Sequence, residues 1–150
     1  MPIVDNEDER EGTSCLAIAH EMIAGVPCIV TRPSGSASAP GALVVLDGTR
    51  VLRRVDRLVA EGRLDPACLP VMVGIDPDPA DRGLAQYTPW LHPAYKPGAP
   101  DFGGRAEAFL ADTVLPVAEA LRREHSEGPI GLFGYSLAGL FSLFAMLNTD

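Results

Sequence analysis

Ser136 has the setting in this sequence that most suggests chemistry. It lies in Ile130-Gly131-Leu132-Phe133-Gly134-Tyr135-Ser136-Leu137-Ala138-Gly139: a short apolar run, then Gly-x-Ser-x-small-Gly, then a second apolar run. This has the form of a strand–turn–helix nucleophile elbow, in which a strained turn lifts the serine hydroxyl above the carboxyl edge of a sheet. Small residues are required at 134 and 138 because the strand and helix backbones pass close together there. The N–H of Leu137, at the start of the helix, can stabilise the oxyanion of a tetrahedral intermediate. The plainer reading is a strand-to-helix turn that happens to contain a serine. The buried strand before the motif and the apolar helix after it favour the elbow.

A serine is a weak nucleophile until a neighbouring base removes its proton. With this elbow the chain order is serine, then acid, then histidine. After Ser136 the sequence has no histidine and one carboxylate side chain, Asp150. Of the three earlier histidines, His125 precedes the serine strand and belongs at the opposite sheet edge, because a six-residue strand rises about 20 Å. His20 lies in an N-terminal segment with no clear pattern. His92 follows the strand ending at Ile75, so its loop leaves the same edge as Ser136; it is either a stand-in base or a loop and substrate-contact residue. Cys15, Cys28 and Cys68 match no metal spacing, and none sits in an elbow. Asp76, Asp78 and Asp81 lack the glycine and distant glutamate of a calcium loop and read as a solvated acidic loop. No metal and no cofactor is expected.

The elements that must position Ser136 can be read from hydrophobic patterning. Val26–Thr31 is a β-branched strand candidate, and 33–41 is a loop rich in Ser, Ala, Gly and Pro. Ala42–Leu46 and Val71–Ile75 are continuous apolar runs, expected of strands buried on both faces. Between them, 51–61 carries apolar residues at a 3.6-residue period with arginines opposite, and ends at Gly62. Residues 76–104 are rich in Pro and Gly, a connection long enough to serve as a lid or substrate loop. Residues 105–123 form a second helical pattern that Pro116 should kink or split. Residues 129–134 predict the strand before the elbow and Leu137–Leu147 an apolar helix after it. Strands alternating with helices predict an α/β fold with a parallel-rich sheet flanked by helices. Residues 1–25 read as an acidic tail and polar segment, and 26–150 as part of a single domain.

Composition narrows the function classes. The 150 residues carry 20 acidic against 12 basic side chains, a net charge of -8, with one lysine and no basic stripe. Such a surface does not bind phosphate backbones, so no nucleic-acid partner is expected. No apolar run is long enough to span a membrane, and the acidic N-terminus is no secretory signal. With unpatterned cysteines, this predicts a cytoplasmic protein.

The elbow Gly134-Tyr135-Ser136-Leu137-Ala138-Gly139-Leu140-Phe141 resembles that of an esterase family of α/β-hydrolases. That family includes enterochelin (siderophore) esterases, esterase D or S-formylglutathione hydrolase, and mycolyltransferase-like proteins. Further segments agree in order: Leu43-Val44-Val45-Leu46-Asp47-Gly48, then Val73-Gly74-Ile75-Asp76, Arg82, Tyr87-Thr88-Pro89-Trp90 and Phe102-Gly103-Gly104. The resemblance covers about residues 42 to 147 and is strongest with the siderophore-esterase-like branch, although Gln86 stands where an acidic residue often precedes Y-T-P, and Ala138 where many members have glycine. It implies a serine esterase acting on a small-molecule ester, with Ser136 as nucleophile and a second oxyanion N–H near Gly48. Asp47-Gly48 can equally be a simple turn. Asp47, Arg82, His92 and Tyr135 are the substrate-binding candidates; Arg82 would orient an anionic substrate or is an ordinary loop arginine.

The family's acid and histidine would follow Ser136 on later loops. Leu137–Leu147 is apolar nearly all round, which calls for cover on several sides. The chain therefore reads as a fragment that ends after the nucleophile helix: a truncated reading frame or half of a larger enzyme, inactive alone. Self-association or a C-terminal half would cover its apolar surface and open sheet edge. The competing expectation is a non-catalytic remnant that binds partners through the same cleft; a third is acyl transfer to an alcohol.

Overall fold

The computed structural model describes residues 16–32, 41–80, 83–93, 97–98, 101–125 and 128–149. Among the described residues seven strands and four α-helices are formed: β1 (Ile18–Ile23), β2 (Val26–Thr31), β3 (Ala42–Leu46), α1 (Gly48–Ala60), β4 (Val71–Ile75), β5 (Leu91–His92), β6 (Phe102–Gly103), α2 (Ala106–Phe109), α3 (Leu115–Glu124), β7 (Ile130–Phe133) and α4 (Leu137–Leu147). Five strands make the main sheet in the order β1-β2-β4-β3-β7. Its β4, β3 and β7 run parallel, with Ala42 opposite both Val71 and Ile130. β2 joins β4 antiparallel, and β1 joins β2 antiparallel. The fold is α/β, with a mixed sheet whose parallel part ends at β7, the border strand that carries the elbow.

The continuous apolar strands are buried on both faces. On one face Val45 and Met72 meet Ile29 and the fully buried Leu52 of α1. On the other, Val44, Leu46, Val73 and Ile75 pack with Val114, Val117 and Leu121, and with Phe141 and Ala145 of α4. α1 begins at Gly48, three residues before its periodic pattern, and keeps Arg53, Arg54 and Arg57 exposed. It ends at Ala60, and Gly62 just beyond it, at φ +67°, takes the left-handed position that closes the helix; Gly62 N–H donates to the Val59 carbonyl and Arg63 N–H to that of Leu58.

The second helical pattern is split, as the proline requires. A π-helical turn over Leu110–Val114 separates α2 from α3, and Pro116 occupies the first turn of α3. Proline has no N–H for the preceding turn and its ring crowds the carbonyl there, so a wider turn absorbs the misfit. Residues 18–23, expected to lie in a polar tail and segment, instead form β1. They pair with β2 across a two-residue turn at Ala24-Gly25, both at positive φ. The connection from 76 to 104 is also more ordered than its composition suggests. It contains the β5–β6 hairpin, with Leu91 opposite Gly103. Gly103 is obligatory at φ +103°, since a Cβ there would sit 2.2 Å from the Trp90 carbonyl oxygen.

Among the described residues no helix is long and apolar enough to cross a membrane.

Candidate active site

Two adjacent parallel strands end in the same unusual way. β7 runs into Ser136, which has φ 58° and ψ -122° and is the residue before the first turn of α4. β3 runs into Asp47, with φ 54° and ψ 47°, directly before α1. Both are non-glycine residues at positive φ, conformations that cost about 1–3 kcal/mol each and persist only where the surroundings enforce them. The last registered pair of the two strands is Val45 with Phe133, so both turns leave the same carboxyl edge of the sheet. Each is followed by a first helical residue, Gly48 or Leu137, whose N–H has no intrahelical acceptor. Two helix N-termini thus stand side by side at the edge where Ser136 emerges.

Packing explains why the small residues are needed. A Cβ on Gly134 would lie 2.2 Å from the Ala138 carbonyl oxygen, so strand and helix can meet there only through glycine. Ala138 is buried, and the Ser136 carbonyl accepts from the N–H groups of Gly139 (3.0 Å) and Leu140 (3.2 Å), which fixes the first turn of α4. At the second turn a Cβ on Gly48 would lie 2.4 Å from the Gly74 Cα. Gly48 is buried against β4, so its side-chain position is sterically closed.

Asp76, at the end of β4, caps α1 from outside. Its carboxylate accepts from the Thr49 N–H at 2.9 Å and the Thr49 hydroxyl at 2.5 Å. Asp78 accepts from the Ala80 N–H, and its own N–H donates to the Gln86 side-chain oxygen at 2.7 Å. These two carboxylates are thus engaged with the chain itself. Gln86, the departure from the acidic residue common before Y-T-P, fastens the loop.

Tyr87 is fully buried, and its hydroxyl donates to Asp47 Oδ1 at 3.1 Å. Burial pushes the Asp47 carboxyl above its ordinary value, while the Tyr87 hydrogen bond acts the other way. Burial, reinforced by the Asp47 charge, pushes the Tyr87 phenol far above its usual range, so it stays a neutral donor. This contact joins residues 40 apart and has no local sequence signal. The resemblance had marked Tyr87 as part of a motif without giving it a role.

Tyr135 is strongly exposed beside Ser136. His92 lies exposed on the β5–β6 hairpin, stacked on Phe102 with ring centroids 5.2 Å apart and Nδ1 3.1 Å from the Pro93 carbonyl oxygen. Ser136 is exposed, and its hydroxyl has no hydrogen-bond partner among the described residues. Among the described residues no hydrogen bond joins His92 to Ser136; His92 lies on the hairpin of the loop that follows β4. His125 ends α3 ahead of β7, at the opposite edge as expected. His20 is exposed on β1. Arg82, Asp81, Cys15 and Asp150 lie outside the described residues. Burial raises the Cys28 thiol pKa to about 11, which leaves it unreactive as a nucleophile.

Comparison with known proteins gives a consistent picture. The family described as "Putative esterase" matches residues 21–149. The chain is 34% identical over 125 residues to the Uncharacterized protein YbbA of Bacillus subtilis (strain 168), across 77% of this chain and 48% of that protein. Its fold is similar to the crystal structure of the BES protein from Bacillus cereus, with a TM-score of 0.54 and 21% identity, covering 95% of this chain and 59% of the other. A lower overlap is found with the siderophore hydrolase EstA from Aspergillus nidulans: TM-score 0.49, 23% identity, 87% of this chain and 53% of that one. The chain spans about half the length of the curated relative it matches. With the match extending over most of the sequence, this chain belongs to the "Putative esterase" family.

Proposed function

We propose that the protein is a serine hydrolase of carboxylic esters, with Ser136 as the nucleophile. The Ser136 oxygen attacks the ester carbonyl carbon, and the carbonyl oxygen takes up the negative charge between the N–H groups of Leu137 and Gly48. The serine proton passes to the histidine base on attack and from it to the leaving alcohol as the intermediate collapses to an acyl-enzyme, which water activated by the same base then hydrolyses. The observation that carries this reading is the pair of positive-φ turns at Asp47 and Ser136, which set two helix N-termini, each with a first N–H that has no intrahelical acceptor, at one sheet edge. Backbone donors fixed in advance are what oxyanion stabilisation requires.

The base and its acid are an Asp/Glu–His pair supplied by polypeptide other than the described residues. The exposed border of the sheet supports this. β7 is the last strand, and Phe133, Leu143, Met146 and Leu147 are exposed beside it, an apolar surface suited to further strands and helices. The substrate is a siderophore ester or a small acyl ester, by the resemblance of the elbow and the Y-T-P loop. Asp47, Tyr135, His92 and Arg82 are the candidates to contact it.

A second reading is favoured by the unpartnered Ser136 hydroxyl: a binding module that keeps the cleft without the chemistry. Labelling with a fluorophosphonate, mapped by peptide mass with Ser136→Ala as control, separates the two. Modification of Ser136 supports the hydrolase, with product analysis then distinguishing water from an alcohol as acceptor. A folded chain that takes no label, alone or with added C-terminal segment of a relative, refutes it.

A further inference from the structure

We propose that Tyr87 is a positioning residue for the oxyanion side of the site: its buried hydroxyl tethers the left-handed Asp47–Gly48 turn and so holds the Gly48 N–H at the edge beside Ser136. This rests on the reading of Gly48 as an oxyanion donor.

The left-handed region costs an ordinary residue roughly 1–2 kcal/mol and aspartate less, so it does not hold Asp47 there by itself, and Asp47 leaves it readily unless something fixes its side chain. Such a rotation would turn the peptide that carries the Gly48 N–H. Thr49, one residue further, is fixed by Asp76, and Gly48 is wedged against Gly74. Asp47 itself uses no capping bond from its own side chain; its carboxylate is instead held by Tyr87 at 3.1 Å.

Tyr87 is in turn immobile. Its N–H donates to the Gly83 carbonyl at 2.8 Å, and a Cβ on Gly83 would strike its ring at 2.5 Å. The ring meets Phe109 edge-on at 5.7 Å and Phe141 at 5.9 Å. Phe141 belongs to α4, the helix that Ser136 begins. One buried ring therefore touches the nucleophile helix while its hydroxyl grips the other turn, setting both donors against a common wedge.

The test is Tyr87→Phe, which keeps the ring and removes the tether. In the nitrogen-15-labelled protein, the Gly48 and Thr49 amide signals should shift or broaden while that of Leu137 stays in place. Inactivation by a fluorophosphonate at Ser136 should slow about 10- to 100-fold in its maximal rate, with the half-saturating concentration unchanged. An unchanged Gly48 signal overturns the proposal, as does a loss confined to inhibitor affinity. A wild-type chain that takes no label even with the C-terminal segment of a relative added sinks the esterase reading, and the amide comparison still decides the tether. If Tyr87→Phe does not fold, Asp47→Asn and Asp47→Ala decide it. Asparagine still accepts the phenol proton and tolerates positive φ; alanine does neither. Gly48 signals should stay native-like in the first and move in the second, and equal behaviour of the two overturns the proposal.

Discussion

Alanine at position 134 would place a methyl group 2.2 Å from the Ala138 carbonyl oxygen and 2.4 Å from its carbon. Side-chain Cβ atoms essentially never approach other heavy atoms below 3.0 Å, and both obstacles here are backbone, so no rotamer change relieves the contact. The first turn of α4 must move away from β7 by about 1 Å, against a helix anchored by the fully buried Phe141. Overpacking of this kind costs about 1–3 kcal/mol, and the rigid surroundings put Gly134→Ala near the top of that range. For a domain of this size that lowers the melting temperature by about 6–12 °C. Gly25→Ala is the control. Its Cβ would meet nothing within 4 Å, so it bears only the cost of φ +80°, about 1 kcal/mol or 2–4 °C. Thermal melts followed by circular dichroism give the order of the two variants. Gly134→Ala melting with the wild type, or above Gly25→Ala, would refute the close strand–helix contact on which the elbow depends.

Two further outcomes follow from local contacts. Asp76→Ala removes the acceptor of the Thr49 N–H and should destabilise the protein by about 1 kcal/mol, read by urea titration; a midpoint equal to wild type would show that α1 does not use this cap. Of the two described cysteines, exposed Cys68 should react with a thiol-specific disulfide reagent at neutral pH well before Cys28. The Cys28 thiol ionises only near pH 11, so equal rates in the folded protein would contradict its burial.

The strands at 42–46 and 71–75 were legible because burial on both faces leaves an uninterrupted apolar run, and α1 because one apolar stripe opposes its arginines. The elbow was legible because its glycine and alanine are required by close backbone contact, which a sequence records directly. β1 was hidden for a physical reason. It is a half-exposed edge strand in which His20 and Met22 face solvent, and its turn places Ala24 at positive φ, where glycine or asparagine would have signalled a hairpin. The β5–β6 hairpin has two residues a strand, too few to show a period. The Tyr87–Asp47 bond escaped because nothing in a sequence marks which distant hydroxyl will meet a given carboxylate. His92 lies on the loop that follows β4, and topology does not say where on a loop an imidazole points.

The position of β7 at the border of the sheet has a consequence for the electric field at Ser136. Among the described residues Ser136 is exposed on that side, and water there reorients around any charge that forms. Two unit charges 4 Å apart interact by about 1 kcal/mol in water but by about 4 kcal/mol at the effective dielectric of a protein site. The dipoles of the two helix N-termini are subject to the same attenuation. For the proposed oxyanion donors, the N–H groups of Leu137 and Gly48, a polypeptide laid along β7 would therefore do more than deliver a histidine: by displacing that water it would strengthen their effect without moving them.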